Sequence, residues 1–289
     1  MDDLRFRLLG PMEIVVEGSA LPLPGSAERA LLAQLLLSPG RTIPASMLID
    51  RLWAASTLPV DPTNALQVRV SKLRRSLKAN RTPDLVTREG VGYRANVDPE
   101  AVDAIDFADR IRLARAATAA ASGQDVGLEV LESNLAAYDA ALELWRGEPL
   151  SDFTAEQWAI SEAARLHALR ITALTERAQT ALALGRHPEV VHDLEAVVGG
   201  DPTLESLAGL LMVALYRGGR QADALEVYAR TRRTLDEELG LEPSVTLRSL
   251  QERVLRHDES LGAQAEMAVP VRAPASAQRR TLEPAVPTN

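Results

Sequence analysis

Cysteine is absent from the 289-residue sequence, and aromatic residues make up only 3% of it. Without cysteine the chain can form neither disulfides nor thiolate metal sites. The scarcity of aromatic residues, together with abundant alanine and leucine, favours helices over sheets. No stretch approaches the ~18 consecutive apolar residues of a membrane-spanning helix. The N-terminus also lacks the basic start and apolar run of a signal peptide, so we expect a soluble intracellular protein with no membrane partner.

Motifs of the common enzyme classes are missing as well. The sequence contains no P-loop, HExxH or GxSxG pattern. The four histidines are scattered over the second half, and His187 and His192 are five residues apart rather than the four that suit a metal pair on a helix. Residues 90–95 fit the dinucleotide pattern G-x-G-x-x-A, but no helix signal follows them. We therefore expect no enzyme activity, no metal and no cofactor.

Charge is distributed unevenly along the chain, whose net charge is −8. Residues 1–95 hold 13 Lys or Arg against 9 Asp or Glu, a net charge of +4, and the remainder carries −12. Residues 60–95 alone hold eight basic and three acidic residues, a net charge of +5. Binding to a polyanion is the simplest explanation of a basic island in an acidic protein. Taken alone, its KLRRSLK run is equally compatible with a solvated helix face.

The basic segment predicts a helix from Pro62 to near Asn80, before Thr82-Pro83. Apolar residues recur at steps of four, three and four, which places them on one helix face: Leu66, Val70, Leu73 and Leu77. Another face carries Asn64, Val68, Ser71, Lys72 and Arg75, flanked by Arg69, Arg74 and Lys78. Either Asp61 or Thr63 can cap the start of this helix.

Three strands, three helices and a hairpin are predicted for the first third of the chain. The strands are residues 4–8, 12–16 and 20–23, the helices are 27–37 (with Ser26 as N-cap), 45–53 and the basic helix, and the hairpin strands are 85–88 and 91–95. Thr42 and Pro44 are predicted to lie in a turn. The second and third helices then form a helix-turn-helix, and the hairpin forms a wing beside it.

A helix-turn-helix places its last helix in the major groove of DNA, where Asn, Lys and Arg side chains read base edges. Thr63 and the N-terminus of the basic helix can bind phosphate through backbone N–H groups. Arg94, which we place near the hairpin tip, can enter the minor groove or bind its phosphates.

The second half predicts helices that repeat in part. The helices span residues 102–121, 128–145, 158–184, 188–198, 204–217, 222–239 and 245–257. Gly185-Arg186 and Gly219-Arg220 are offset by 34 residues, the period of tetratricopeptide-like helix pairs. Such pairs stack and leave a groove that binds protein segments; a structural scaffold or a dimer platform is the alternative. After Gly262 the sequence is rich in Ala and Pro, and we expect it to be disordered.

These motifs together resemble a known family. The segments SAERALLAQLLLSPGRTIPASMLIDRLW, NALQVRVSKLRRSL and LVTREGVGYRA resemble the OmpR-type winged helix of the SARP family (Streptomyces antibiotic regulatory proteins). The segments ALELWRGEPLSDF and ALYRGGRQADALEVYARTRRTLDEELGLEPS resemble the bacterial transcriptional activation domain that follows it there. The resemblance implies a mainly α chain. A winged helix-turn-helix DNA-binding domain spans residues 1–97, an all-α tetratricopeptide-like bacterial transcriptional activation domain spans 98–260, and a disordered tail spans 261–289.

The resemblance also implies a function, that of a sequence-specific transcription activator that regulates antibiotic biosynthesis from the cytoplasm, on the nucleoid. Such proteins bind direct repeats of promoter DNA near the −35 region as a head-to-tail pair and contact the RNA polymerase holoenzyme, including its sigma factor. The residues implied to bind DNA are Thr63, Asn64, Val68, Arg69, Lys72, Arg75 and Arg94. The loop from Ala54 to Asp61 matches the one that touches polymerase in OmpR-like relatives. The sequence lacks an acidic receiver domain, so control by phosphoryl transfer to an aspartate is not expected. The competing hypothesis is a protein-binding adaptor that acts through its helical repeats.

Overall fold

A computed structural model describes residues 4–22, 24–54, 57–79, 85–121 and 127–262. Over these ranges the chain forms two three-stranded antiparallel sheets and ten α-helices. The strands are β1 (Leu4–Arg7), β2 (Glu13–Val16), β3 (Ser19–Ala20), β4 (Ile43–Pro44), β5 (Val86–Glu89) and β6 (Gly92–Ala95). The helices are α1 (Ser26–Leu36), α2 (Ala45–Leu52), α3 (Pro62–Ala79), α4 (Asp103–Ala121), α5 (Leu128–Leu142), α6 (Gln157–Ala183), α7 (His187–Gly200), α8 (Glu205–Arg217), α9 (Gln221–Thr234) and α10 (Val245–Leu255).

The mainly helical fold class is confirmed, and so is the order of sheet, three helices, hairpin and helical half. The first sheet has the order β1-β2-β3, and the second has the order β4-β6-β5. Among the helices of the described ranges, none is both long enough and apolar enough to cross a bilayer. The expected end of the basic helix at Asn80, the Thr82-Pro83 pair and the tail from residue 263 lie outside the described residues.

The segment around Thr42 and Pro44 is the clearest structural correction, because a strand stands where the sequence predicted a turn. Ile43 pairs with Tyr93 and Pro44 pairs with Gly92, so β4 joins the hairpin as a third strand. The approach is close: a Cβ on Gly92 would lie 2.2 Å from the Ile43 carbonyl oxygen. A strand of two residues is too short to show the alternation of apolar and polar residues that predicts a strand, and its partner strand lies far away in the sequence. Proline is tolerated there because β4 is an edge strand.

Several helix and strand ends also differ from the expected ones. Ser26 is the first helical residue of α1 rather than its N-cap, which is Gly25. The third strand covers only Ser19–Ala20. The helix expected to reach Leu239 ends as an α-helix at Thr234 and continues as a π-helical turn, Leu235–Leu239. This turn closes with Gly240 in the left-handed region (φ 64°), and the Leu241 N–H donates to the Leu235 carbonyl.

The helical half shows the expected repeat in its turns. Arg186 N donates to the Ala181 carbonyl at 2.8 Å, and Arg220 N donates to the Leu215 carbonyl at 2.9 Å. The two hydrogen bonds are offset by 34 residues at both ends, and the glycine before each arginine has φ of 74°. The α6–α7 and α8–α9 pairs are therefore equivalent helical hairpins, as the tetratricopeptide-like class requires.

Packing is continuous across the expected domain boundary at residues 97–98. One hydrophobic core includes Phe6 of the first sheet, Leu73 of α3 and Phe107 of α4, and it extends to Ala173 in α6. A second core is built mainly from α6 to α10. Val102 also forms an isolated parallel bridge with Phe6. The first sheet is therefore packed against the helical half, and the boundary itself stays a prediction.

A buried carboxylate links this sheet to α4. The Asp103 Oδ1 accepts a hydrogen bond from Leu8 N at 2.6 Å, and its Oδ2 accepts from Leu9 N at 3.0 Å. The residue is only 8% exposed. Burial raises the pKa of Asp103 to about 6, although the two backbone hydrogen bonds and the charge of Arg146 act in the opposite direction. We call Asp103 with its two backbone donors the carboxylate clasp.

The loop between α5 and α6 holds the other side of the same β1–β2 turn. Arg146 N donates to the Leu9 carbonyl at 2.8 Å, and Leu150 N donates to the Leu8 carbonyl at 2.9 Å. Asp152 accepts from Met12 N at 2.6 Å and forms an ion pair with Arg29 of α1 at 2.8 Å. These contacts attach the winged-helix part firmly to the helical half.

Candidate nucleic-acid interface

Helix α3 has one buried and one exposed face. The apolar face predicted from the sequence is buried at every position: Leu66, Val70, Leu73 and Leu77. It packs on α1 and α2. Asp61 caps the helix, since its Oδ1 accepts from Asn64 N at 2.9 Å, which leaves the Thr63 hydroxyl outside this capping role. This buried apolar face, which we call the leucine seam, therefore fixes which side of α3 faces solvent.

The exposed face collects most of the residues expected to bind DNA. Exposed side chains on α3 include Thr63, Asn64, Val68, Lys72 and Arg75. The last four follow one another at steps of four, four and three, so they lie along one side of the helix. Val68 is an apolar residue in the middle of this polar row, with 46% of its surface exposed. The structure thus presents a straight polar and basic ridge, which we call the α3 ridge: Thr63, Asn64, Val68, Lys72 and Arg75.

Arg69 stands apart from the α3 ridge. Its Cζ atom lies 4.3 Å from the ring centroid of Trp53, the C-cap residue of α2. This cation–π contact leaves Arg69 half-buried between the two helices. The residue therefore helps to hold the helix-turn-helix together, a role that the sequence reasoning missed because Trp53 lies sixteen residues earlier.

The wing is attached to α3 through a residue that the sequence placed only on the flank. Arg74 Nε donates to the Val86 carbonyl of β5 at 2.8 Å. Strands β5 and β6 are joined at Gly90, whose φ of 54° is in the left-handed region. Val91 at the tip is 82% exposed, whereas Tyr93 is buried, as expected. The wing therefore projects next to α3 with its tip in solvent.

Arg94 lies on strand β6, opposite Thr87, rather than near the hairpin tip where the sequence placed it. Its Nη1 forms an ion pair with Glu89 Oε2 at 3.0 Å, and its Nε donates to Asn96 Oδ1 at 2.8 Å. Glu89 also accepts from the Thr42 hydroxyl at 2.6 Å. The sequence did not indicate that Glu89 pairs with Arg94. Only the strand register, which puts these two side chains on one side of the hairpin, brings them together.

Within the described ranges, no group of three or more His, Asp or Glu residues is arranged to hold a metal ion. His167 instead forms a hydrogen bond with Glu148 at 2.9 Å.

Two family models match nearly the whole described chain. Residues 21–95 match the model described as transcriptional regulatory protein, C terminal, and residues 102–255 match the bacterial transcriptional activator domain. Regulatory protein DnrI of Streptomyces peucetius is 31% identical over 265 residues, which cover 89% of this chain and 94% of DnrI. The chain belongs to the SARP family of transcriptional regulators.

Other SARP-like relatives agree in both domains. Regulatory protein AfsR of Streptomyces coelicolor is 39% identical over 284 residues, covering 98% of this chain and 26% of AfsR. The chain thus spans about a quarter of the length of AfsR. A solved structure of Mycobacterium tuberculosis EmbR in complex with a low affinity phosphopeptide is 31% identical, with a TM-score of 0.78 over 91% of this chain and 69% of that chain. AfsR and DnrI are both named as regulatory proteins.

Proposed function

We propose that this chain is a sequence-specific transcription activator that binds promoter DNA through the α3 ridge and the wing. The observation that carries the proposal is the division of α3 into a buried leucine seam and an exposed ridge with Asn64, Lys72 and Arg75. A helix of this kind fits the major groove, where amide and basic side chains bind base edges and phosphates. Residues 60–95, which include α3 and carry a net charge of +5, supply the attraction to DNA.

Individual roles follow from position on α3. Thr63 lies at the N-terminus of α3, where backbone N–H groups and the helix dipole favour a phosphate. Asn64, Lys72 and Arg75 carry the donors that read bases or bind the backbone, and Val68 offers an apolar contact. Arg69 and Arg94 contribute charge beside the ridge, although each already has a partner within the protein.

We extend the proposal to the transcription machinery. The loop before α3 exposes two apolar side chains: Leu58 is 55% exposed and Val60 is fully exposed. Exposed apolar residues next to a polar surface are typical of a protein contact. We propose that this loop and the helical half contact the RNA polymerase holoenzyme, including its sigma factor, at promoters of antibiotic biosynthesis genes.

The proposed arrangement on DNA is a head-to-tail pair on direct repeats near the −35 region. Two copies on one side of the duplex need half-sites about 10–11 bp apart. Inserting about half a turn of DNA between the repeats rotates one copy to the opposite side, so we expect the paired complex to disappear in a gel shift while the single-copy complex remains. Equal amounts of paired complex on the original and the lengthened site would refute the pairing.

A gel shift on a promoter fragment also separates the activator from the adaptor hypothesis. An activator retards its promoter fragment specifically in the presence of excess unrelated DNA. An adaptor, whose winged helix would contact protein, leaves the fragment unbound even at low salt. A footprint with and without RNA polymerase then tests whether the bound activator extends polymerase protection.

A further inference from the structure

A cavity of about 680 Å³ lies in the helical half between α6, α8 and α10, far along the chain from the α3 ridge. Helices α8 and α10 run parallel on one side of it. At their N-terminal ends, Glu205 Oε2 accepts from Ser244 N at 2.6 Å. At their C-terminal ends, Arg217 Nε donates to the Leu261 carbonyl at 2.8 Å. The short 3-10 helix Glu259–Leu261 therefore closes one end of the cavity.

The lining of the cavity combines apolar side chains, which we call the floor, with hydroxyl groups. The floor is formed by Leu210, Val213, Leu247, Leu250 and Leu261, and the hydroxyls belong to Thr175, Ser206, Ser244, Thr246, Ser249 and Ser260. Gly209 lies in the middle of α8, where a Cβ would be 3.6 Å from methyl groups of Leu247 and Leu250. A glycine weakens a helix interior, and here it leaves room in the floor.

Charge is placed at opposite ends of this space. Arg217 and Arg253 lie at the closed end, and Glu205 lies at the other end, about 18 Å away along α8. Asp258 and Ser260 hold Arg253 in place, with the Asp258 ion pair at 3.1 Å. Arg217 also donates through Nη1 to the Leu182 carbonyl at 2.9 Å, and burial lowers its pKa; an anionic group added beside these contacts would favour its charged form.

Size and chemistry together define the ligand. Sites for small molecules are clefts of roughly 300–1,000 Å³ with mainly apolar walls and a few placed polar groups. We propose that this cavity binds a small organic anion, whose apolar body lies on the leucine floor and whose carboxylate or related group faces Arg217 and Arg253. Oxygen substituents along the body would bond to the serine and threonine hydroxyls. The site is separate from the DNA interface, and its test does not depend on DNA binding.

Two fluorescent probes of nearly identical apolar body test the charge requirement on the full chain. Anilinonaphthalene sulfonate carries an anionic group, and N-phenylnaphthylamine lacks it. We expect saturable binding of the anionic probe at one site per chain. The neutral probe should bind about tenfold more weakly, the ratio expected for one charged hydrogen bond. Equal affinities of the two probes would overturn the assignment of an anion.

Two variants test the location. Ser249→Phe places a ring at the mouth of the cavity from an exposed position, and Ser249→Ala is its matched control. Gly209→Met fills the floor, and Gly209→Ala adds only a methyl group at ordinary contact distance. Both filling variants should lose at least about tenfold in affinity for the anionic probe, whereas both alanine variants should bind like wild type. Circular dichroism melts of each variant establish that the fold is retained. Wild-type affinity in both filling variants would place the probe elsewhere and refute the site.

Discussion

At the residue scale, the carboxylate clasp makes the clearest prediction. Asn at position 103 keeps one acceptor oxygen but turns an N–H₂ group toward the second backbone donor. One of the two buried N–H groups, Leu8 N or Leu9 N, then loses its acceptor. We expect Asp103→Asn to lower the free energy of unfolding by about 1–3 kcal/mol below pH 3.8, measured by urea denaturation, because the protonated Asp103 carries no buried charge and both its oxygens can still accept.

The pH dependence of the clasp follows from the same group. The folded state binds this proton more tightly than the unfolded chain, because the pKa rises from 3.8 to about 6 on folding. Asp103 therefore contributes most to the free energy of unfolding below pH 3.8. This contribution falls as the pH rises toward 6, by at most about 1.4 kcal/mol per pH unit, and stays constant above pH 6. Asp103→Asn should remove this slope. Asp109→Asn, at a half-exposed carboxylate of the same helix, should retain it. A slope unchanged in Asp103→Asn would contradict the assignment.

The sequence did not reveal the clasp, for a physical reason. Asp103 and Asp106 lie in the first turn of α4, where acidic residues favour a helix through its dipole. Without knowledge of the fold, this local effect is enough to explain why both acidic residues are there. The two backbone donors belong to the β1–β2 turn, some 95 residues earlier, and they meet Asp103 only when the chain has folded.

At the element scale, the wing makes a second prediction. Glu89 neutralises Arg94 on the face where a phosphate would bind. Glu89→Gln retains an acceptor for Thr42 but removes the charge, so we expect tighter DNA binding. The slope of log K against log salt should steepen by about 0.9 if Arg94 gains a phosphate. Fluorescence anisotropy across a salt series measures this change.

The control for the wing prediction is Glu100→Gln, which removes the same charge from an exposed position after the hairpin. It should leave the salt slope unchanged. Weaker binding in Glu89→Gln would show instead that Glu89 positions Arg94 for DNA.

Elements differed in how well the sequence predicted them. Helix α3 was predictable because four apolar residues at helical spacing needed no knowledge of distant partners. Its exposed residues followed from the same count. Strand β4 was not predictable, because its two residues acquire a partner only when the hairpin folds back onto Ile43. Arg94 was misplaced for a related reason: the hairpin register decides which residue lies at the tip.

At the scale of the whole molecule, we propose that the basic first third binds DNA and that the acidic remainder contacts protein. The continuous core and the contacts of Asp103, Arg146 and Asp152 hold these parts in one arrangement. Binding of DNA by α3 would therefore fix the direction in which the helical half projects from the promoter. In the proposed head-to-tail pair, this coupling would make both helical halves project in one direction.

The most direct test of the account compares Lys72→Ala with Arg248→Ala by fluorescence anisotropy on promoter DNA over a salt titration. Both variants remove one positive charge from an exposed helix position, but only Lys72 lies on the α3 ridge. A contact of Lys72 with DNA predicts a loss of about 1–3 kcal/mol if it reads a base, or a salt slope reduced by about one if it binds a phosphate. Arg248→Ala should bind like wild type. Wild-type binding of both variants at every salt concentration, or equal weakening of both, would contradict the claim that α3 is the surface that binds DNA.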